Sequence, residues 1–165
     1  MDQISNEQVN TIIQGMLDAF YLRDEFLMKR DRDITERAIT HRMAMHLQQL
    51  IPEMDVDCEF NRMGKFDQNI EYTDGDYFAK RVCLATGERI IDDDDQGSRV
   101  FPDIIVHKRG TAINLIIIEV KVTWKSGKKS HDIEKLNAYK TDLKYPHAFY
   151  LEMFENRDDV IVTRI

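Results

Sequence analysis

Phe101-Pro102-Asp103-Ile104-Ile105-Val106-His107-Lys108 and Leu115-Ile116-Ile117-Ile118-Glu119-Val120-Lys121-Val122-Thr123 are two apolar runs separated by Arg109-Gly110-Thr111-Ala112-Ile113-Asn114. If the runs fold as antiparallel strands about Thr111, positions 103 and 119 lie equally far from the turn and face each other, about 5 Å apart at Cα. Lys121 is two residues beyond Glu119, so strand periodicity sets it on the same face. Three ionisable groups then share one spot on a strand whose other side chains are Leu115, Ile116, Ile117, Ile118, Val120 and Val122. Such a strand is expected to be buried on both faces, where charge is costly unless a partner compensates it. A divalent cation is one such partner.

The chain around this hairpin has 165 residues, enough for one domain with a real core and too few for two ordinary ones. A single domain over 1–165 is expected, with 1–33 as an N-terminal helical extension. The 42% hydrophobic and 32% charged content is that of a globular protein. No run reaches the length of a membrane span, and Met1-Asp2-Gln3-Ile4 lacks the basic-then-apolar layout of a secretory signal, so the cytoplasm is the expected location. Cys58 and Cys83 have neither the spacing nor the histidine neighbours of a zinc site, and both are read as reduced thiols.

A net charge of −7 argues against a protein that coats nucleic acid by bulk electrostatics. The distribution is less even. Residues 1–98 carry 11 Lys+Arg against 21 Asp+Glu, whereas residues 99–149 carry 10 against 5. The basic stretch holds Asp103, Glu119 and Lys121, and Lys125, Lys128 and Lys129 follow directly. These lysines could grip an anionic backbone beside the carboxylates, or form a solvated loop.

Periodicity places the other elements. Val9, Ile12, Ile13, Met16, Leu17 and Phe20 predict a helix from about Asn6 to Lys29 behind a Ser5 cap. Thr35 caps a second helix, which Pro52 stops. Val56, Cys58 and Phe60 alternate with Asp57, Glu59 and Asn61, the pattern of a half-buried strand. The acidic segment 63–98 reads as an insertion, with turn signals at Gly64, Thr73-Asp74-Gly75-Asp76 and Thr86-Gly87, a short strand at 77–84, and Asp92-Asp93-Asp94-Asp95. Ser130 is placed as the cap of a helix running to Leu143, and strands at 147–154 and 160–165 complete an α/β fold with a mixed sheet. The strand–helix–strand crossover makes the fourth strand parallel to the Glu119 strand.

Two carboxylates on adjacent strands form a hard oxygen site suited to Mg²⁺ or Mn²⁺, and a lysine beside it can hold or polarise a water. That combination suits phosphodiester hydrolysis. Pro102-Asp103 and Glu119-Val120-Lys121 resemble the motif of the PD-(D/E)xK nuclease superfamily, and the elements from Thr35 to Phe154 follow the order of its restriction-endonuclease-like core. The segments 34–42, 56–62 and 102–110, with Asp132 and Lys135-Leu136, also resemble small uncharacterised bacterial and phage members of that superfamily. The resemblance implies that Asp103 and Glu119 bind the metal, that the Val120 carbonyl adds a ligand, and that Lys121 orients the attacking water. Glu36 is implied to bind a second metal or a metal-bound water.

Other readings stand beside these. Asp103, Glu119 and Lys121 could be a buried ion-pair network, and Glu36 a first-turn glutamate favoured by the helix dipole. His41, His46, His107 and His131 share no constellation and are read as packing or surface residues. Trp124 and Tyr139 could stack on a base or serve as core or rim aromatics. Phosphate contacts are assigned to Lys125, Lys128, Lys129 and Lys135. DNA is the expected substrate ahead of RNA, with a homodimer or a protein partner supplying specificity. The rival from another class is a catalytically inactive nucleic-acid- or protein-binding module of the same fold.

Overall fold

A computed structural model describes residues 4–60, 62–63, 78–79, 81–82, 98–99, 101–127 and 129–165. Five strands form one sheet in chain order: β1 (Asp55–Asp57), β2 (Ile104–His107), β3 (Asn114–Val122), β4 (His147–Met153) and β5 (Ile161–Arg164). All neighbours are antiparallel except β3 and β4, which run parallel across the helix α3 (Lys129–Asp142). Helices α1 (Asn6–Asp24) and α2 (Glu36–Leu50) precede the sheet. The fold is therefore α/β, a mixed sheet flanked by helices.

Strand parity explains the layers. Ile104, Val106, Ile116, Ile118, Val120, Val122, Phe149, Leu151 and Met153 pack with α1 and α2, whereas Ile105, Ile117, Ala148 and Tyr150 pack with Leu136, Tyr139 and Leu143 on the α3 side. β3 is sandwiched between the two cores, as its apolar run predicts.

Ile104, Ile105 and Val106 oppose Ile118, Ile117 and Ile116, the register expected from the turn arithmetic. Within the turn, Thr111 N–H donates to Lys108 O, and Gly110 takes the left-handed φ of 71° that the chain reversal needs. A shift between Val106 and His107 then sets His107 opposite Asn114. β2 begins at Ile104, so Asp103 is not a strand residue as expected. It stands in the bend just before the strand, where its side chain takes a hydrogen bond from β3.

Other boundaries differ for local reasons. Ser5 and Gln8 form a capping box on α1, but the α-helix ends at Asp24 and a 3-10 turn over Glu25–Met28 replaces the expected continuation to Lys29. At that break the Asp24 carboxylate is held by His46 at 2.6 Å and by Arg42 on α2. β1 is only three residues long, and Asp57 does not face solvent as the alternation implied: its carboxylate binds Arg109 and His107. Ser130 lies inside the first turn of α3 rather than at its cap. The chain between β4 and β5 forms a 3-10 turn over Arg157–Asp159.

Of the 63–98 insertion, only two-residue ladders are described, pairing Arg62–Met63 with Phe78–Ala79 and Arg81–Val82 with Ser98–Arg99. Its turn signals, Asp92–Asp95 and Cys83 lie outside the described residues, whereas Cys58 is a free, half-buried thiol. Among the described residues, no helix is long and apolar enough to cross a membrane.

Thr35 accepts a hydrogen bond from Ala38 N–H and starts α2, so it also sets where Glu36 points. Thr35→Ala is expected to cost about 1 kcal/mol in chemical denaturation. An unchanged midpoint would show that the cap contributes nothing.

Candidate active site

Position 119 shares its parity with Ile117, so Glu119 projects to the α3 side of the sheet, near the carboxyl end of β3. Asp103 arrives from the bend before β2, and its Oδ2 accepts the Val120 N–H at 2.8 Å. Glu36, the first residue of α2, reaches the end of β3, where Oε2 accepts the Val122 N–H at 3.0 Å. Lys121 Nζ donates to the Ser126 carbonyl at 2.6 Å and lies 3.3 Å from Glu36 Oε2. Gly127 closes over that ammonium: a Cβ there would stand 2.7 Å from Lys121 Nζ. The expected group thus comes together, in a cleft of about 660 Å³ lined by Glu36, Asp103, Glu119, Lys121, Asp132 and Lys135, with Val120 also in its wall.

Glu119 is 4% exposed. Its Oε2 accepts from Lys135 Nζ at 2.9 Å, and its Oε1 is buried without a hydrogen-bond partner among the described residues. Burial pushes the Glu119 carboxyl up to about 8, Asp103 adds to the rise, and Lys135 opposes it. Burial likewise raises Asp103 to about 6, against the Val120 N–H and Lys135, while Glu36 and Asp132 add repulsion. Burial works against the Lys135 ammonium, but Glu119, Asp132 and Asp103 outweigh it and raise its pKa. In the cleft, Glu36, Asp103, Glu119 and Asp132 outnumber Lys121 and Lys135, and Asp103 and Glu119 are desolvated, a balance that favours an added cation.

The donor chemistry fits Mg²⁺ or Mn²⁺. The oxygens are hard, and Oε1 of Glu119, buried without a hydrogen-bond partner among the described residues although the Tyr139 hydroxyl lies beside this carboxylate, is an acceptor that a cation would satisfy. Among the described residues, no three Asp, Glu, His or Cys side chains already converge as a ready ligand set. In this arrangement each carboxylate is turned to a protein donor: Asp103 to a backbone N–H, Glu119 to Lys135, and Glu36 to Lys121 and Val122.

The predicted phosphate-binding lysines separate. Lys125 pairs with Asp33 at 3.3 Å, and Lys129 pairs with Glu152 above the Tyr150 ring. Lys128 lies outside the described residues. Lys135 is inside the cleft. Tyr139 is fully buried beside Glu119 and cannot stack on a base, while Trp124 lies under the Arg30 guanidinium at 5.1 Å. His46 and His107 are buried on Asp24 and Asp57, His41 is exposed, and His131 lines the cleft.

Sequence reasoning gave Asp132 no part in the site. It lies 3.5 Å from Lys135 in the cleft wall and acts on both Asp103 and Glu119. The signal was present: Asp132 and Lys135 are three apart on the helix that follows the Glu119 strand. Ser126 and Gly127, which hold Lys121, left no such trace, because a carbonyl and a missing side chain have no motif. Compared with family models, curated proteins and solved structures, the chain matches none.

Proposed function

We propose that this chain is a divalent-cation-dependent nuclease of PD-(D/E)xK type, with a restriction-endonuclease-like core, that hydrolyses phosphodiester bonds of DNA, with RNA as the second choice. The observation carrying this reading is the pair of desolvated carboxylates, Asp103 and Glu119, in an open cleft beside a clamped lysine. Mg²⁺ or Mn²⁺ held by Asp103, Glu119 and the Val120 carbonyl would supply Lewis acidity, lowering the pKa of a water and stabilising charge on the phosphate. The chain's own residues do the positioning. Lys121, fixed by the Ser126 carbonyl and Glu36, orients the attacking water. Glu36, engaged with Lys121 and the Val122 N–H, holds that lysine at the end of β3, and its carboxylate, in the wall of the same cleft, is the one that would bind a second metal or a metal-bound water. Lys125, between β3 and α3, and Lys129, which opens α3, are the phosphate-gripping candidates.

A second reading, a non-catalytic binding module, draws support from the net charge of −7 and from the ion pairing of Lys125 and Lys129 within the chain. Calorimetric titration of Mn²⁺ separates the two. The nuclease reading predicts binding in wild type that Glu119→Gln abolishes. Absence of binding in wild type favours the module.

A further inference from the structure

Lys135 and Lys121 are both cleft ammonium groups, but they are held differently. Lys121 donates to the Ser126 carbonyl, faces Glu36 and is overlaid by Gly127, a cage of backbone and one carboxylate. Among the described residues, Lys135 has only carboxylate partners: Glu119 at 2.9 Å and Asp132 at 3.5 Å. Its side chain is 18% exposed, and it borders the open volume of the cleft.

Glu119 is the same residue that, on the nuclease reading, holds the divalent cation. A metal–oxygen bond is about 2.1 Å long, so an ion on Oε1 of Glu119 would stand within a few ångströms of the ammonium now on Oε2 of the same buried carboxylate. The two cations therefore compete for one buried carboxylate. Lysine has a long flexible stem and a head with three rotatable donors, which suits it to leave one anion for another. The cleft beside it is where the anionic substrate would lie.

We propose that Lys135 is an exchangeable internal cation: it is held by Glu119 and Asp132 in the metal-free protein, leaves Glu119 when a divalent ion binds, and then contacts a phosphate of the nucleic acid. This rests on the nuclease reading and deepens it. Metal binding is weakened by competition with Lys135 and strengthened by nucleic acid, which takes up the displaced ammonium. The two ligands bind cooperatively, each tightening the other by the same factor.

The test is the Mn²⁺ affinity of the full chain, by calorimetry near neutral pH, for wild type, Lys135→Met and Lys135→Arg, with duplex-DNA affinity measured in Ca²⁺ and in chelator. Lys135→Met is expected to bind Mn²⁺ about tenfold more tightly and to lose most of the Ca²⁺-dependent gain in DNA affinity. Lys135→Arg, which keeps the charge, should stay near wild type. Lys135→Gln serves the same comparison if the methionine variant does not fold. Unchanged or weaker Mn²⁺ binding in a folded, charge-removed variant, with wild-type binding still dependent on Glu119, overturns the exchange and leaves the nuclease reading standing. No Mn²⁺ binding in any of the proteins removes both.

Discussion

Asp103→Asn is expected to raise the melting temperature of the metal-free protein at about pH 8 and to lower metal-dependent cleavage by roughly 10³-fold. The two effects share one cause. Asp103 is carried in the folded chain with its pKa at about 6 instead of 3.8, mainly because burial strips water from the charge. Ionising it there costs the fold on the order of 3 kcal/mol, which the amide avoids. Asparagine keeps an oxygen able to accept the Val120 N–H, so the local hydrogen bond survives. A stability gain of this order moves the melting point by several degrees. If Asp103 instead served a structural ion-pair network, the same substitution would destabilise the protein. Melting curves and cleavage rates on one preparation read both effects, and a lower melting point with cleavage retained contradicts the assignment.

Asp103 and Glu119 should make the metal-free wild type lose stability as pH rises from roughly 4 to 8, against a smaller opposing gain from His147, whose folded pKa is depressed by burial and Arg164, and Mn²⁺ should restore the loss most at the alkaline end. Asp103 and Glu119 both have folded pKa values above their ordinary 3.8 and 4.5, at about 6 and about 8. Between the ordinary and the raised values, the folded chain keeps protons that the unfolded chain has released. Raising pH therefore favours unfolding across that window, and the loss levels off once both carboxyls are ionised. Asp103 alone accounts for about 3 kcal/mol and Glu119 adds to it in the same direction, which is at least several degrees of melting temperature for a domain of this size. A bound cation removes the penalty only where it meets ionised carboxylates, so the Mn²⁺-induced rise should be small near pH 5 and large near pH 8. Melting curves across pH with Mn²⁺ or chelator test this. A metal effect equal at both ends would show that the ion binds elsewhere.

The register of β2 on β3 is legible because two apolar runs flank a turn containing Gly110, and a one-residue slip would turn Glu119 and Lys121 to the wrong face. The shift at Val106 and His107 is not legible in the same way. Asn114, which pairs with His107, donates its side-chain amide to the Leu143 carbonyl, a contact 29 residues away that no local pattern carries. Alternation alone points Asp57 outward, and the groups that draw it in, His107 at the end of β2 and Arg109 in the turn that follows, lie about 50 residues on. Glu36 was visible as a first-turn glutamate behind Thr35, but its grip on Lys121 spans 85 residues. Lys135 shows the limit of charge counting most clearly. A lysine-rich stretch suggested a surface grip, yet the partner that decides the location of Lys135 is the buried Glu119, across the space between β3 and α3.

The most direct measurement is cleavage of linear duplex, supercoiled, single-stranded and branched DNA, and of RNA, with Mn²⁺, Mg²⁺ or chelator, by wild type and Lys121→Ala. A cation-dependent nuclease with Lys121 at its centre predicts cleavage of at least one substrate that chelator abolishes and that Lys121→Ala loses. Full cleavage by a folded Lys121→Ala protein, or no cleavage of any substrate with either metal, contradicts it.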